Sequence, residues 1–101
     1  MNDLTELEED LAAMAADELE RALTLSWRAL SAILPWGDAY DGYTAAGRQV
    51  TVERSYLWAE VAGGDILCEV VVYGGPSRYD NGARAQALIA RKPLDERSTS
   101  P

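Results

Sequence analysis

Carboxylates are the side chains in this sequence whose type and spacing could do chemistry. Residues 1–20 hold eight of them and no basic residue. Placed at 100° intervals on a helix, Asp3, Glu6, Glu9, Asp10, Asp17 and Glu20 fall within one ~120° sector. Acid–base work needs two carboxylates whose surroundings push their pKa values apart, and an exposed face supplies no such difference. What the spacing does offer is charge density. Six carboxylates over seventeen helical rises is one per ~4–5 Å, near the one charge per ~3.4 Å of a nucleic-acid strand. Such a face would fit an Arg- and Lys-lined groove and speed association with it. Two plainer readings stand beside it. A charged helix face can serve only solubility, or the acids can pair with Arg78, Arg84, Arg91 and Lys92 of the C-terminal third, within the chain or across a symmetric dimer.

Other residue types narrow the chemistry further. There is no His, which removes Ser-His and Cys-His nucleophiles, His-based metal sites and the commonest general acid or base. The single Cys68 falls among apolar neighbours, where a thiol packs as a small hydrophobe. GDAYDG at 37–42 brings only Asp38 and Asp41 to a turn of Gly and Asp, short of a calcium loop's oxygen set. AGGDIL at 62–67 lacks the Lys-Ser/Thr of a phosphate loop and reads as a hairpin turn. No cofactor and no metal is expected.

Aromatics supply the remaining contact chemistry. Trp36, Tyr40 and Tyr43 cluster in an expected loop after the helix, and Tyr56, Trp58 and Tyr73 in an expected second, mixed face of the hairpin. Large rings with polar handles anchor interfaces and equally cover small cores. The candidate partner-binding set is therefore Asp3, Glu6, Glu9, Asp10, Asp17, Glu20, Trp36, Tyr40, Tyr43 and Trp58.

The elements that must position these residues follow from periodicity. Leu4, Leu7, Leu11, Met14, Ala15, Ala22, Leu25, Ala29 and Ile33 recur near a period of 3.6, and Leu19, Leu23, Trp27, Leu30 and Leu34 widen the stripe. A helix over 4–34 is predicted, stopped at Pro35. At ~46 Å it outruns a 101-residue globule, so either its first turns project or it breaks near Ala16-Asp17, where Asp17 and Glu20 have capping-box spacing.

From Arg48 the period becomes two, predicting a β-hairpin of residues 48–62 and 65–73. A two-residue Gly63-Gly64 loop would set Val61 opposite Ile66, Ala59 opposite Cys68, Leu57 opposite Val70 and Ser55 opposite Val72. That register leaves Val50 and Val52 on the other face unless a bulge falls near Arg54-Ser55. Residues 74–82 read as a loop. ARAQALIARK at 83–92 reads as a short helix on propensity, with a third strand as the alternative, and 93–101 as a flexible tail.

The predicted fold class is thus α+β: a long N-terminal amphipathic helix on a small antiparallel sheet, in one domain over 1–92. The net charge of -8 is placed unevenly, because residues 21–101 balance nine acids with nine bases. That sign argues against direct nucleic-acid binding. No apolar run reaches the ~20 residues of a membrane helix and no secretory signal opens the chain, so a cytoplasmic location is expected. Eight of nine basic residues are Arg, Phe is absent and Ala is abundant, the usage of a GC-rich gene in a bacterium or its phage.

Short, acidic and cofactor-free, the chain resembles in general character the small antagonist proteins of phages and mobile elements, anti-CRISPR proteins and DNA mimics among them. The resemblance implies a non-enzymatic inhibitor that blocks a basic, nucleic-acid-handling complex. The alternative is a dimeric acidic chaperone, immunity protein or antitoxin that masks a protein partner through apolar surfaces.

Overall fold

A computed structural model of the chain describes residues 3–74 and 82–91. The loop expected at 74–82 lies almost wholly outside the described residues, as does the tail at 93–101. The fold is α+β, with two helices and one antiparallel sheet of four strands in the order β1-β2-β3-β4.

Helix α1, Asp3–Ala22, buries Leu11, Ala15, Glu18 and Ala22, which at i, i+4, i+7 and i+11 stand in one line. Its 20 residues span ~30 Å, about the length of the eight-residue strands it packs on. A helix carried on to residue 34 would leave the sheet, and the expected single helix is in fact two. The break lies at 23–26 and not at Ala16-Asp17. There the Thr24 hydroxyl donates to Arg21 O (2.8 Å) and Ser26 Oγ accepts from Ala29 N (3.1 Å). Two short hydroxyl side chains thus each partner one backbone group at the two new helix ends. Helix α2, Trp27–Ser31, seats the fully buried Leu30 and is held by Trp27 Nε1, which donates to Gly64 O at 2.8 Å.

Residues 37–42, expected as a turn, lie inside strand β1, Trp36–Tyr43. Two glycines and two aspartates make a poor strand by propensity. Pairing overrides it: β1 forms an unbroken antiparallel ladder with β2, Gln49–Trp58, from Trp36↔Tyr56 to Tyr43↔Gln49. The turn falls instead at 44–48, where Thr44 N bonds to Arg48 O (2.9 Å) and Gly47 takes a φ of 88° that favours glycine.

The β2–β3 hairpin forms in a different register from the one expected. Strand β3 is Ile66–Tyr73, and Trp58 faces Ile66, Tyr56 faces Cys68 and Val52 faces Val72. The loop is not the Gly-Gly pair but residues 59–65, closed by Ala59 N to Asp65 O (3.0 Å), with Gly63 at φ 86°. Relative to the expected pairing, β2 slides by three residues, an odd number, so every side chain changes face. Val50, Val52, Tyr56 and Trp58 now point to the helix with Ile66, Cys68, Val70 and Val72, while Leu57 is left 45% and Val61 66% exposed. The bulge near Arg54-Ser55 is unnecessary, and the ladder runs through both residues unbroken.

Of the two readings for the C-terminal segment, the further strand and not the helix that propensity favoured is present over the described residues. Gly82–Ile89 is strand β4, paired with β3 from Tyr73↔Gly82 to Ile66↔Ile89. Its small side chains suit the place, since Ala83 and Ala85 pack under α1 and a ladder along β3 outweighs a few tenths of a kcal/mol of propensity per residue.

The core has two parts. Leu11 and Ala15 pack on Val50, Val52, Val70 and Val72; Ala22 and Leu30 pack on Tyr56, Ile66 and Cys68. Tyr56 OH donates to Ala22 O at 2.8 Å, giving the end of α1 a buried partner for one of its unpaired carbonyls.

Candidate interaction surface

Helix α1 places the predicted carboxylates, and it treats them unequally. Asp3 opens the helix. Glu6, Glu9 and Glu20 are exposed, and no cation pairs with them among the described residues. Asp17 forms an ion pair with Arg21 at 3.0 Å, both side chains largely exposed, a contact worth little in water.

Asp10 is different. Its side chain is only 10% exposed and accepts from the Thr44 hydroxyl, from Arg48 Nη1 at 2.8 Å and from Ala46 N at 3.4 Å. It ties the helix to the β1–β2 turn. The Thr44 hydrogen bond, with Arg48 and Ala46, holds its pKa below the ordinary 3.8 although burial opposes this. Of the internal partners expected in the C-terminal third, the two described ones are engaged elsewhere: Arg84 pairs with Glu69 at 3.2 Å, and Arg91 bonds Gly63 O at 3.0 Å and lies over the Trp27 ring. Arg78 and Lys92 lie outside the described residues.

The aromatic candidates divide by strand face. Trp36 and Tyr40 point to the helix side of β1, and Tyr43, three residues on, is 69% exposed on the other side. Trp58 sits at the core margin with its ring 6.2 Å from Trp27. Tyr56 and Trp58 therefore belong to the helix-facing side, a correction that follows from the register, and only Tyr73 remains on the outer face.

Several residues that sequence reasoning passed over organise this region. Glu18 is 6% exposed inside the apolar line of α1; it accepts from the Tyr40 hydroxyl and from Arg21 Nη1 at 3.3 Å. Burial first, then Glu18, pushes the Tyr40 pKa up to about 12. The signal was present, because Glu18 shares its stripe with Leu11, Ala15 and Ala22, and a carboxylate in a buried stripe must find donors. Arg54, directly opposite Asp38, makes a two-pronged bond to it at 2.9 and 2.5 Å, and its guanidinium lies 5.0 Å from the Tyr40 ring and 5.4 Å from Trp36. Asp38, read as a turn residue, thus anchors a stacked ion pair.

Comparison with protein-family models, with curated proteins and with solved structures finds no match. Chemistry must therefore be read from the side chains. Cys68 is fully buried, and burial raises its thiol pKa to about 11. The described residues hold no group of three His, Cys, Asp or Glu able to bind a metal ion. A shallow open hollow on the outer sheet face, lined by Ala39, Glu53, Ser55, Glu69 and Val71, has its Glu69 carboxylate engaged by Arg84 and Gln86. No helix among the described residues is long and apolar enough to cross a membrane.

Proposed function

We propose that this protein is a non-enzymatic inhibitor of anti-CRISPR or DNA-mimic type, which occupies a basic, nucleic-acid-handling surface of a protein partner with the outward carboxylates of α1. The observation that carries the reading is that Glu6, Glu9 and Glu20 stay exposed without a cation among the described residues, whereas the exposed guanidinium of Arg21 is taken by Asp17 and Glu18. Asp10 leaves the contact set and becomes the residue that fixes the helix to the sheet. The acidic face is thereby thinner than the sequence suggested, but it lies on a rigid element, which lowers the ordering cost of binding.

The test is capture of partners from a nuclease-treated bacterial lysate on the immobilised protein. Partners should elute as salt rises from about 50 to about 200 mM, and Glu6→Gln/Glu9→Gln/Glu20→Gln should retain none of them. Partners held equally by the triple variant, or indifferent to salt, would refute the reading.

One observation favours the second reading, a chaperone, immunity protein or antitoxin. Leu57, Leu67 and Leu88 are register neighbours across β2, β3 and β4 on the outer face, with Leu57 45% and Leu88 60% exposed. Apolar rows of this kind serve protein contacts. Partner capture that survives salt and fails on Leu57→Ser/Leu88→Ser supports it instead.

A further inference from the structure

We infer that β4 and the neighbouring flank of α1 form a two-fold interface with a second copy of this chain, joining two sheets into one of eight strands. The two edges of the sheet differ in kind. Edge β1 carries Asp38, Asp41, Gly37 and Gly42 behind Pro35, the charges and poor strand formers that keep an edge from pairing. Edge β4 reads Gly82-Ala-Arg-Ala-Gln-Ala-Leu-Ile89; its one charge, Arg84, is engaged by Glu69 of its own sheet at 3.2 Å. Among the described residues nothing pairs with the outer side of these eight, which form a template for another strand.

The helix layer fits the same operation. Met14 touches Gly42, Glu18 bonds Tyr40 and Asp10 bonds Thr44, so one flank of α1 faces the β1 side. At 100° per residue the opposite flank, toward β4, carries Ala12, Ala16, Leu19 and Leu23. Ala12 and Ala16 are exposed and Leu23 is 37% exposed, an uncharged strip beside the edge. Helix α1 packs on β3 and β4 alike. With strands ~4.8 Å apart, its axis stands ~5 Å from a two-fold outside β4, and two such axes ~10 Å apart. Helices pack at 8–10 Å, with small residues at the contact allowing that approach.

Identical edges related by a two-fold pair antiparallel, and the two helices then run antiparallel above them. Glu9 and Glu20 stand ~20° and ~40° around from Ala16, at the solvent margin of the strip, and Glu8 stands ~20° around from Leu19 at its sheet margin. With Ala16 at the two-fold, antiparallel helices set Glu9 beside Leu23 and Glu20 beside Ala12 of the second copy, so these carboxylates do not meet one another. This surface is separate from the acid-face reading, and either can fail alone.

The experiment is sedimentation of the full chain with amide exchange across 82–89. The wild type should have a mass of about 22 kDa, twice 11.0 kDa, at micromolar concentration, with β4 amides protected on its open side. Ala16→Glu, an exposed helix position, should return the mass to 11.0 kDa and release those amides while the helical circular dichroism is kept. A wild type that stays at the monomer mass overturns the inference, as does a dimer that Ala16→Glu leaves intact. Protection of β4 without a change in mass would mean that the chain covers its own edge, and overturns it too.

Discussion

The Tyr40 hydroxyl donates to the Glu18 carboxylate across the space between β1 and α1, so the edge strand and the helix share one buried polar contact. Glu18 is 6% exposed, and a carboxylate so placed depends on its donors. Tyr40→Phe should lower stability by about 1–3 kcal/mol, a drop of roughly 4–8 °C in Tm per kcal/mol for a chain of this size. Thermal unfolding checks this, and Tyr40→Phe/Glu18→Leu should lose less than Tyr40→Phe alone, because no charge is then left without its partner.

Acid should act through Asp10. Its folded pKa is lowered from 3.8 by Thr44, Arg48 and Ala46, so the unfolded chain binds the proton more readily. The stability it contributes is present above its ordinary pKa and is lost as pH falls through the lowered folded value. Chemical denaturation from about pH 5 to about pH 2 should therefore show a steeper loss for the wild type than for Asp10→Asn. Parallel curves would remove Asp10 from that role.

The Arg54–Asp38 pair should not accept lysine. A compact ammonium cannot make both bonds to Asp38 or spread over the Trp36 and Tyr40 rings. Both side chains are partly exposed, so the loss is modest: about 1 kcal/mol for Arg54→Ala, with Arg54→Lys recovering little of it in urea titrations.

Register is tested by adjacent positions on β2 and β3. Leu57 is 45% exposed and Ile66 fully buried. Leu57→Ser should change stability by no more than about 0.5 kcal/mol, and Ile66→Ala should cost about 2–5 kcal/mol. The Gly-Gly register would make Leu57→Ser severe.

Cys68 should be silent to thiol reagents in the folded protein. It is fully buried with a pKa raised to about 11, and the thiolate is the reactive form. At about pH 8 its modification should proceed only at the rate of unfolding and become immediate in denaturant; fast reaction of the native chain would contradict its placement.

Much of this was legible along the chain. The start of α1, the β character of 49–58 and 66–73 and the burial of Cys68 follow from local period and composition, because a helix or strand with one apolar face advertises it in sequence. Glu18 was legible in principle, standing in the apolar line. Other features were settled by partners far away in the chain. Propensity spoke against strands at 36–43 and 82–89, yet each is paired along its whole length with a neighbour already in place. The three-residue slide of β2 on β3 depends on which face must meet α1, and no window of sequence contains both. The same holds for Asp10: its angular position assigned it to solvent, and a turn 34 residues away brings the Thr44 hydroxyl and the Arg48 guanidinium to it. Side-chain period is a property of one element, whereas register, edge pairing and the fate of a buried-margin charge are properties of two elements in contact, and only the folded chain supplies the second.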